Sequence, residues 1–144
     1  MPGIYIGSTA GYAGKNTLAI GLGLKFRKHG LSLAYMKPVA TTPVRPPHTD
    51  GAMSDEDVFF YLDILGIDQD PALGSPVLMT RDLKRQAFSG TAGDQLGKIT
   101  AAYETLAQQY DLVIMRGSGS FLHYGKYCGV DGLSIARALT KDLK

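Results

Sequence analysis

A chain of 144 residues with 44% hydrophobic and 19% charged residues has the makeup of one globular domain, which excludes a disordered chain. A net charge of +2 gives no electrostatic drive toward nucleic acid or an anionic membrane. The single cysteine, Cys128, excludes an intrachain disulfide; with no secretory leader in view, the expected compartment is the cytoplasm.

Residues 3–7 read as a short buried strand, followed by a loop of small residues over 8–14. From Lys15 to about residue 28 the spacing is helical, with Leu18, Leu22 and Phe26 on one face and Gly30 as the stop. A second strand is predicted over 32–37. Residues 38–50 hold four prolines and three threonines and read as a long loop, functional or mobile. Ser54 begins a helix with Asp55, Glu56 and Asp57 in its first turn, where acids suit the helix dipole. Val58, Tyr61, Leu62 and Leu65 form its apolar stripe, and Gly66 stops it. Only part of the aromatic run Phe59, Phe60 and Tyr61 can be core; the rest is a dimer contact or simply a partly covered surface.

A short apolar run spans 77–79. A longer helix is predicted over 91–109, with Leu96, Ile99, Ala102, Tyr103 and Leu106 inward. Residues 111–115 form the clearest buried strand, 117–125 a second glycine-rich loop, and 131–139 a final helix. Strands alternating with helices predict an α/β fold of the P-loop NTPase type, three layers around a mainly parallel sheet, over a single domain spanning 1–144. Such a fold usually continues into another strand after a final helix, so the expectation is a small domain or a C-terminally incomplete one. The loops 8–14, 38–54 and 117–125 all leave the carboxyl ends of predicted strands, which places one site.

The segment from Gly7 to Thr17 lies between a strand and a helix, the context a phosphate loop needs. Successive backbone N–H groups of Thr9, Ala10, Gly11, Tyr12, Ala13 and Gly14 can surround phosphate oxygens, and the helix N-terminus at Lys15, Asn16 and Thr17 adds its own. Lys15 reaches the β- and γ-phosphates as a mobile charge. The pattern departs from Gly-x4-Gly-Lys-Ser/Thr: Thr9 replaces the first glycine and Asn16 the magnesium-binding hydroxyl. Thr17 sits roughly 100° further round the helix. The plainer alternative is a tight strand–helix turn.

Lys37-Pro38-Val39-Ala40-Thr41, together with this loop and with Asp111-Leu-Val-Ile-Met-Arg-Gly-Ser-Gly, resembles dethiobiotin synthetase over roughly residues 3–139. Related domains accompany phosphotransacetylases and occur in cobyrinic acid diamide synthases. The resemblance implies an ATP- and magnesium-dependent ligase fold, usually dimeric, that closes a ureido ring on a diamine with carbon dioxide. It implies that Lys15 and Lys37 act on the phosphates and carbamate, that Thr41 lies in the substrate region, and that Asp55 or Asp57 holds magnesium. The loop after the third strand, with Arg116, Gly117 and Ser118, would face the substrate, and residues 117–120 would supply backbone donors. Arg116 stands where the family has a magnesium-binding glutamate, so it repels a metal and can itself bind phosphate. Tyr12 replaces a usual acid, and the resemblance implies that the part recognising adenine would follow the last residue given.

Among other residues, His29 reads as a solvated helix end, His48 as a loop residue near Asp50, and His123 as facing the proposed site. Cys128 has no evident base partner. Three functions stay open: an ATP-dependent ligase, a nucleotide- or anion-sensing module that has lost its magnesium, and a degenerate domain used for dimer contacts.

Overall fold

The computed structural model describes residues 2–46 and 50–141. The elements in chain order are β1 (Gly3–Ile6), α1 (Lys15–Lys28), β2 (Leu33–Met36), β3 (Val39–Ala40), β4 (Pro43–Val44), β5 (Ser54–Asp55), α2 (Glu56–Leu65), α3 (Pro71–Gly74), β6 (Val77–Leu78), α4 (Arg81–Phe88), α5 (Gln95–Gln109), β7 (Leu112–Arg116), a 3-10 turn (Lys126–Cys128) and α6 (Gly132–Ala138).

Strands β2 and β7 are apolar at nearly every position because both faces of the sheet are covered. The central sheet has the order β1-β7-β2 and is parallel throughout, with Ile4 opposite Ile114 and Tyr35 opposite Ile114 on the other side. Alternate side chains then go to opposite layers. Leu33, Tyr35, Leu112 and Ile114 pack with Ala19 of α1 and with Val58, Tyr61, Leu62 and Leu65 of α2. Ala34, Met36, Val113 and Met115 pack with Ile99, Ala102, Tyr103 and Leu106 of α5 and with Ile135 of α6. This is the three-layer P-loop NTPase-like arrangement that the alternating pattern predicts.

The predicted stripes of α2 and α5 are buried as expected, save that Leu96 is only partly covered. Helix α1 differs. Leu18 is exposed, and the inward residues are Ala19 and Gly23, flanked by partly buried Leu22 and Phe26. Small residues face inward because α2 lies very close: a Cβ at Gly23 would sit 2.5 Å from Tyr61 Oη and 2.6 Å from Leu65 Cδ1. The Tyr61 hydroxyl also donates to the Ala19 carbonyl. Tyr61 stacks on Tyr35 with ring centroids 3.8 Å apart, while Phe60 stays exposed.

The described part of the stretch read as a long loop, functional or mobile, holds short paired strands. β3 pairs in parallel with β6, and β4 pairs antiparallel with β5, Pro43 opposite Asp55. These two-residue strands strap the chain over the end of β2. Helix α2 begins at Glu56 and is capped by the Asp55 carboxylate rather than by Ser54. The predicted helix over 91–109 begins at Gln95, capped by Asp94, and α3 and α4 stand where no helix was expected. The loop residue His48 lies outside the described residues. No helix among the described residues is long and apolar enough to cross a membrane.

Two glycines of α1 should respond in opposite directions to substitution. Gly21 is exposed, and a Cβ there would meet nothing within 4 Å, so Gly21→Ala should stabilise by about 1 kcal/mol through helix propensity. Gly23→Val should destabilise by about 1–3 kcal/mol through overpacking against Tyr61 and Leu65. Urea denaturation of the two variants reads both signs.

Candidate functional site

The alternation that builds the core continues past the strand ends into a cleft. Tyr35 and Ile114 face α1 and α2. Two residues further along each strand, Lys37 and Arg116 emerge on that same side. The loop before α1 and the start of α2 close around them. The resulting cleft holds about 440 Å³ and is lined by residues 11–16, Lys37, Thr41, Thr42, Glu56, Asp57, Arg116, Gly119 and Tyr124. That volume is within the range of small-molecule sites. The three loops predicted to converge all contribute to it.

The loop at residues 8–14 ends on Gly14, which is left-handed with φ 82°. No side chain caps α1, whereas Asp55, Asp70, Thr80, Asp94 and Asp131 cap α2 to α6 in turn. A Cβ at Gly11 or Gly14 would meet nothing within 4 Å, so the space before the helix terminus is open. This suits a phosphate group, which would meet the terminal N–H groups and the positive end of the dipole. Tyr12 is also left-handed, φ 54°, and fully exposed.

Lys15 is buried and folded back on the loop. Its Nζ donates to Ser8 Oγ at 2.5 Å and to the carbonyls of Ala10 and Gly119 at 3.2 Å each. None of these acceptors carries a charge. Burial, then the charges of Arg116 and Lys37, lower its pKa from the ordinary lysine value.

Lys37 has a different environment. Its three N–H donors go to Thr41 Oγ1, Asp55 Oδ1 and Asp57 Oδ2, each at 2.8 Å. Asp55 is fully buried and accepts four bonds: from Lys37, from the Asp57 amide at 2.9 Å, and from the Thr41 and Thr42 amides at 2.8 and 3.0 Å. Asp57 is partly exposed, and its Oδ2 also meets Arg116 Nη1 at 3.2 Å. Asn16 Nδ2 approaches its Oδ1 at 3.4 Å. Burial alone would raise the Asp57 pKa; the hydrogen bond and charge of Lys37, with Arg116 and Asn16, instead hold it below the ordinary carboxylate value.

Several expected site residues lie elsewhere. Thr9, Ala10 and Thr17 do not line the cleft, although the Ala10 carbonyl anchors Lys15. Gly117 and Ser118 lie instead beside Tyr5, Val130 and Ile135, on the α5 and α6 side. The Gly117 amide continues the β1–β7 ladder by donating to the Ile6 carbonyl, the Ser118 hydroxyl donates to the Val39 carbonyl at 2.6 Å, and neither residue lines the cleft. His123 is exposed and pairs with Ser120. Burial pushes the Cys128 thiol up, the opposite of an activated nucleophile. Glu56, Thr42 and Tyr124 line the cleft without having been singled out. Only the acidic cluster at 55–57 signalled Glu56. Nothing local marks Tyr124, which the chain brings back from the second glycine-rich loop.

Magnesium needs a near-octahedral set of oxygen ligands. Here the oxygens of Asp55 are all engaged, and Asp55 does not reach the cleft wall. Asp57 is paired with two cations, and Asn16 presents an amide to it. No group of three or more His, Cys, Asp or Glu able to hold a metal ion occurs among the described residues. The donor set, as arranged, does not fit a divalent cation.

No protein-family model matches the chain. It is similar to the ATP-dependent dethiobiotin synthetase BioD of Methanocaldococcus jannaschii, with 27% identity over 150 aligned positions. The alignment covers 93% of this chain, and the chain spans 65% of the length of that relative.

The two carboxylates should separate in denaturation experiments. Asp55→Ala should cost about 3–5 kcal/mol, because it strips the buried Lys37 of its enclosed partner. Asp57→Ala should cost about 1 kcal/mol, since that pair is partly solvated and Lys37 keeps Asp55. Equal losses would remove the distinction between scaffold and cleft carboxylate.

Proposed function

We propose that this domain binds ATP, or a related nucleotide, by its phosphates. The observation that supports this most directly is the uncapped N-terminus of α1 behind an open glycine loop, with Lys15 folded beside it on uncharged acceptors. Residues 11–16 would surround the phosphates with backbone N–H groups. Lys15 would exchange its bonds to Ser8, Ala10 and Gly119 for phosphate oxygens. The similarity to an ATP-dependent synthetase agrees with the reading. Calorimetric titration of ATP tests it: Lys15→Ala should weaken binding about 10-fold or more, the usual worth of a charge-assisted bond. Equal binding by the variant would overturn the role of the loop.

Within that reading, the paired Asp57 and the saturated Asp55 favour a non-catalytic, nucleotide- or anion-sensing domain over a magnesium-dependent enzyme. A second reading is an ATP-dependent ligase of the dethiobiotin synthetase type. It is favoured by the same similarity and by Lys37 and Thr41 standing together in the cleft. Lys37 would then stabilise the negative charge of a transferred phosphoryl group and of a carbamate. ADP release with ATP, a diamine substrate and bicarbonate separates the two. Release that falls at least about 100-fold in Lys37→Ala supports the ligase, given the cost of removing one transition-state donor. Release no higher than in that variant leaves the sensing domain.

A further inference from the structure

Lys15, Lys37 and Arg116 converge on one wall of the cleft, and their charges are answered unequally. Lys37 has two carboxylates, Asp55 and Asp57. Lys15 has none. Arg116 rests on Asp57 Oδ2, an oxygen it shares with Lys37. Among the lining residues three positive groups meet two carboxylates, Asp57 and the solvent-exposed Glu56, while Asp55 lies enclosed behind the wall. The guanidinium of Arg116 has five N–H donors in one plane. Its Nε is buried and has no partner among the described residues.

We infer that Arg116 takes the place of a divalent cation in this cleft, binding the terminal phosphate of a metal-free nucleotide, so that magnesium weakens binding. The inference rests on the nucleotide-binding reading above. Three features carry it. The guanidinium is held at the end of β7 beside Lys37, since the adjoining residues Met36 and Met115 are register partners. It is largely enclosed, so its contact with a phosphate is weakly screened by solvent. Its planar donors match two phosphate oxygens at once, which a lysine ammonium cannot do.

Asp57 positions this group. It holds the guanidinium at Nη1 through one oxygen and leaves the other Nη donors to the ligand, while Nε stays enclosed. A nucleotide already complexed with magnesium arrives with phosphate oxygens occupied and part of its charge neutralised. It then meets three cations, an Asp57 already paired with two of them, and only the solvent-exposed Glu56 as a carboxylate without a cationic partner among the described residues. Metal-free nucleotide keeps its full negative charge and its open oxygens.

Calorimetric titration of ATP into the intact chain, in EDTA and in excess magnesium at matched ionic strength, tests the inference. ATP should bind about 10-fold more tightly in EDTA, the equivalent of one charge-assisted bond. Arg116→Ala should weaken binding in EDTA by about 10- to 100-fold and abolish the magnesium effect. Arg116→Lys, which keeps the charge but not the fork, should recover only part of the loss; its thermal melt and that of Arg116→Ala verify folding. Tighter binding with magnesium by the unsubstituted protein overturns the inference and leaves nucleotide binding standing. So does undiminished binding by folded Arg116→Ala in EDTA. No binding in either condition overturns the nucleotide-binding reading itself.

Discussion

The cleft depends on one buried carboxylate. Asp55 lies at 0% exposure and satisfies four donors, among them an ammonium that is itself almost fully enclosed. A charge in that position is tolerable only with complete hydrogen bonding. The requirement reaches outward in three directions. It fixes Lys37 at the end of β2, it pins the Thr41 and Thr42 amides of the strap, and it caps the first turn of α2. The antiparallel clasp of β4 on β5 holds Asp55 in place for all three. Cleft geometry and strap order are therefore one property.

Electrostatic asymmetry follows from that arrangement. Because Asp55 is consumed internally, Asp57 is the carboxylate that the α2 first turn offers beside the cations, and it already serves Lys37 and Arg116. The glycine loop before α1 shows the opposite condition. Among the described residues five helices carry side-chain caps, while α1 presents a bare N-terminus to an open space. Donors accumulate along the cleft wall faster than acceptors, which suits an anion better than a metal.

The parts of the fold that were legible have strong local signals. β7 is a run of apolar residues too short for a helix, and α2 has a four-residue stripe between an acidic first turn and Gly66. Both needed no tertiary information. The misjudged parts have weak ones. β4 and β5 are two residues each, and β4 contains a proline, so no alternation exists to read. α4 buries Leu83 alone, too little for a stripe. Leu18 looked inward because leucine at helical spacing usually is; the close approach of Tyr61 and Leu65 instead selects Ala19 and Gly23.

The same division holds for the site. The sequence by itself determined that a glycine loop ending in Lys15 follows a buried strand, that Lys37 and Arg116 end two others, and that an acidic cluster opens a helix. Each is a short-range pattern, set by backbone conformation and apolar spacing. Only the tertiary structure decided which carboxylate is scaffold and which faces the cleft, that Arg116 leans on Asp57, and that Gly117 and Ser118 point away. Those outcomes turn on strand register and on pairings across 18 to 79 residues of chain, where one step along a strand reverses the face a side chain occupies.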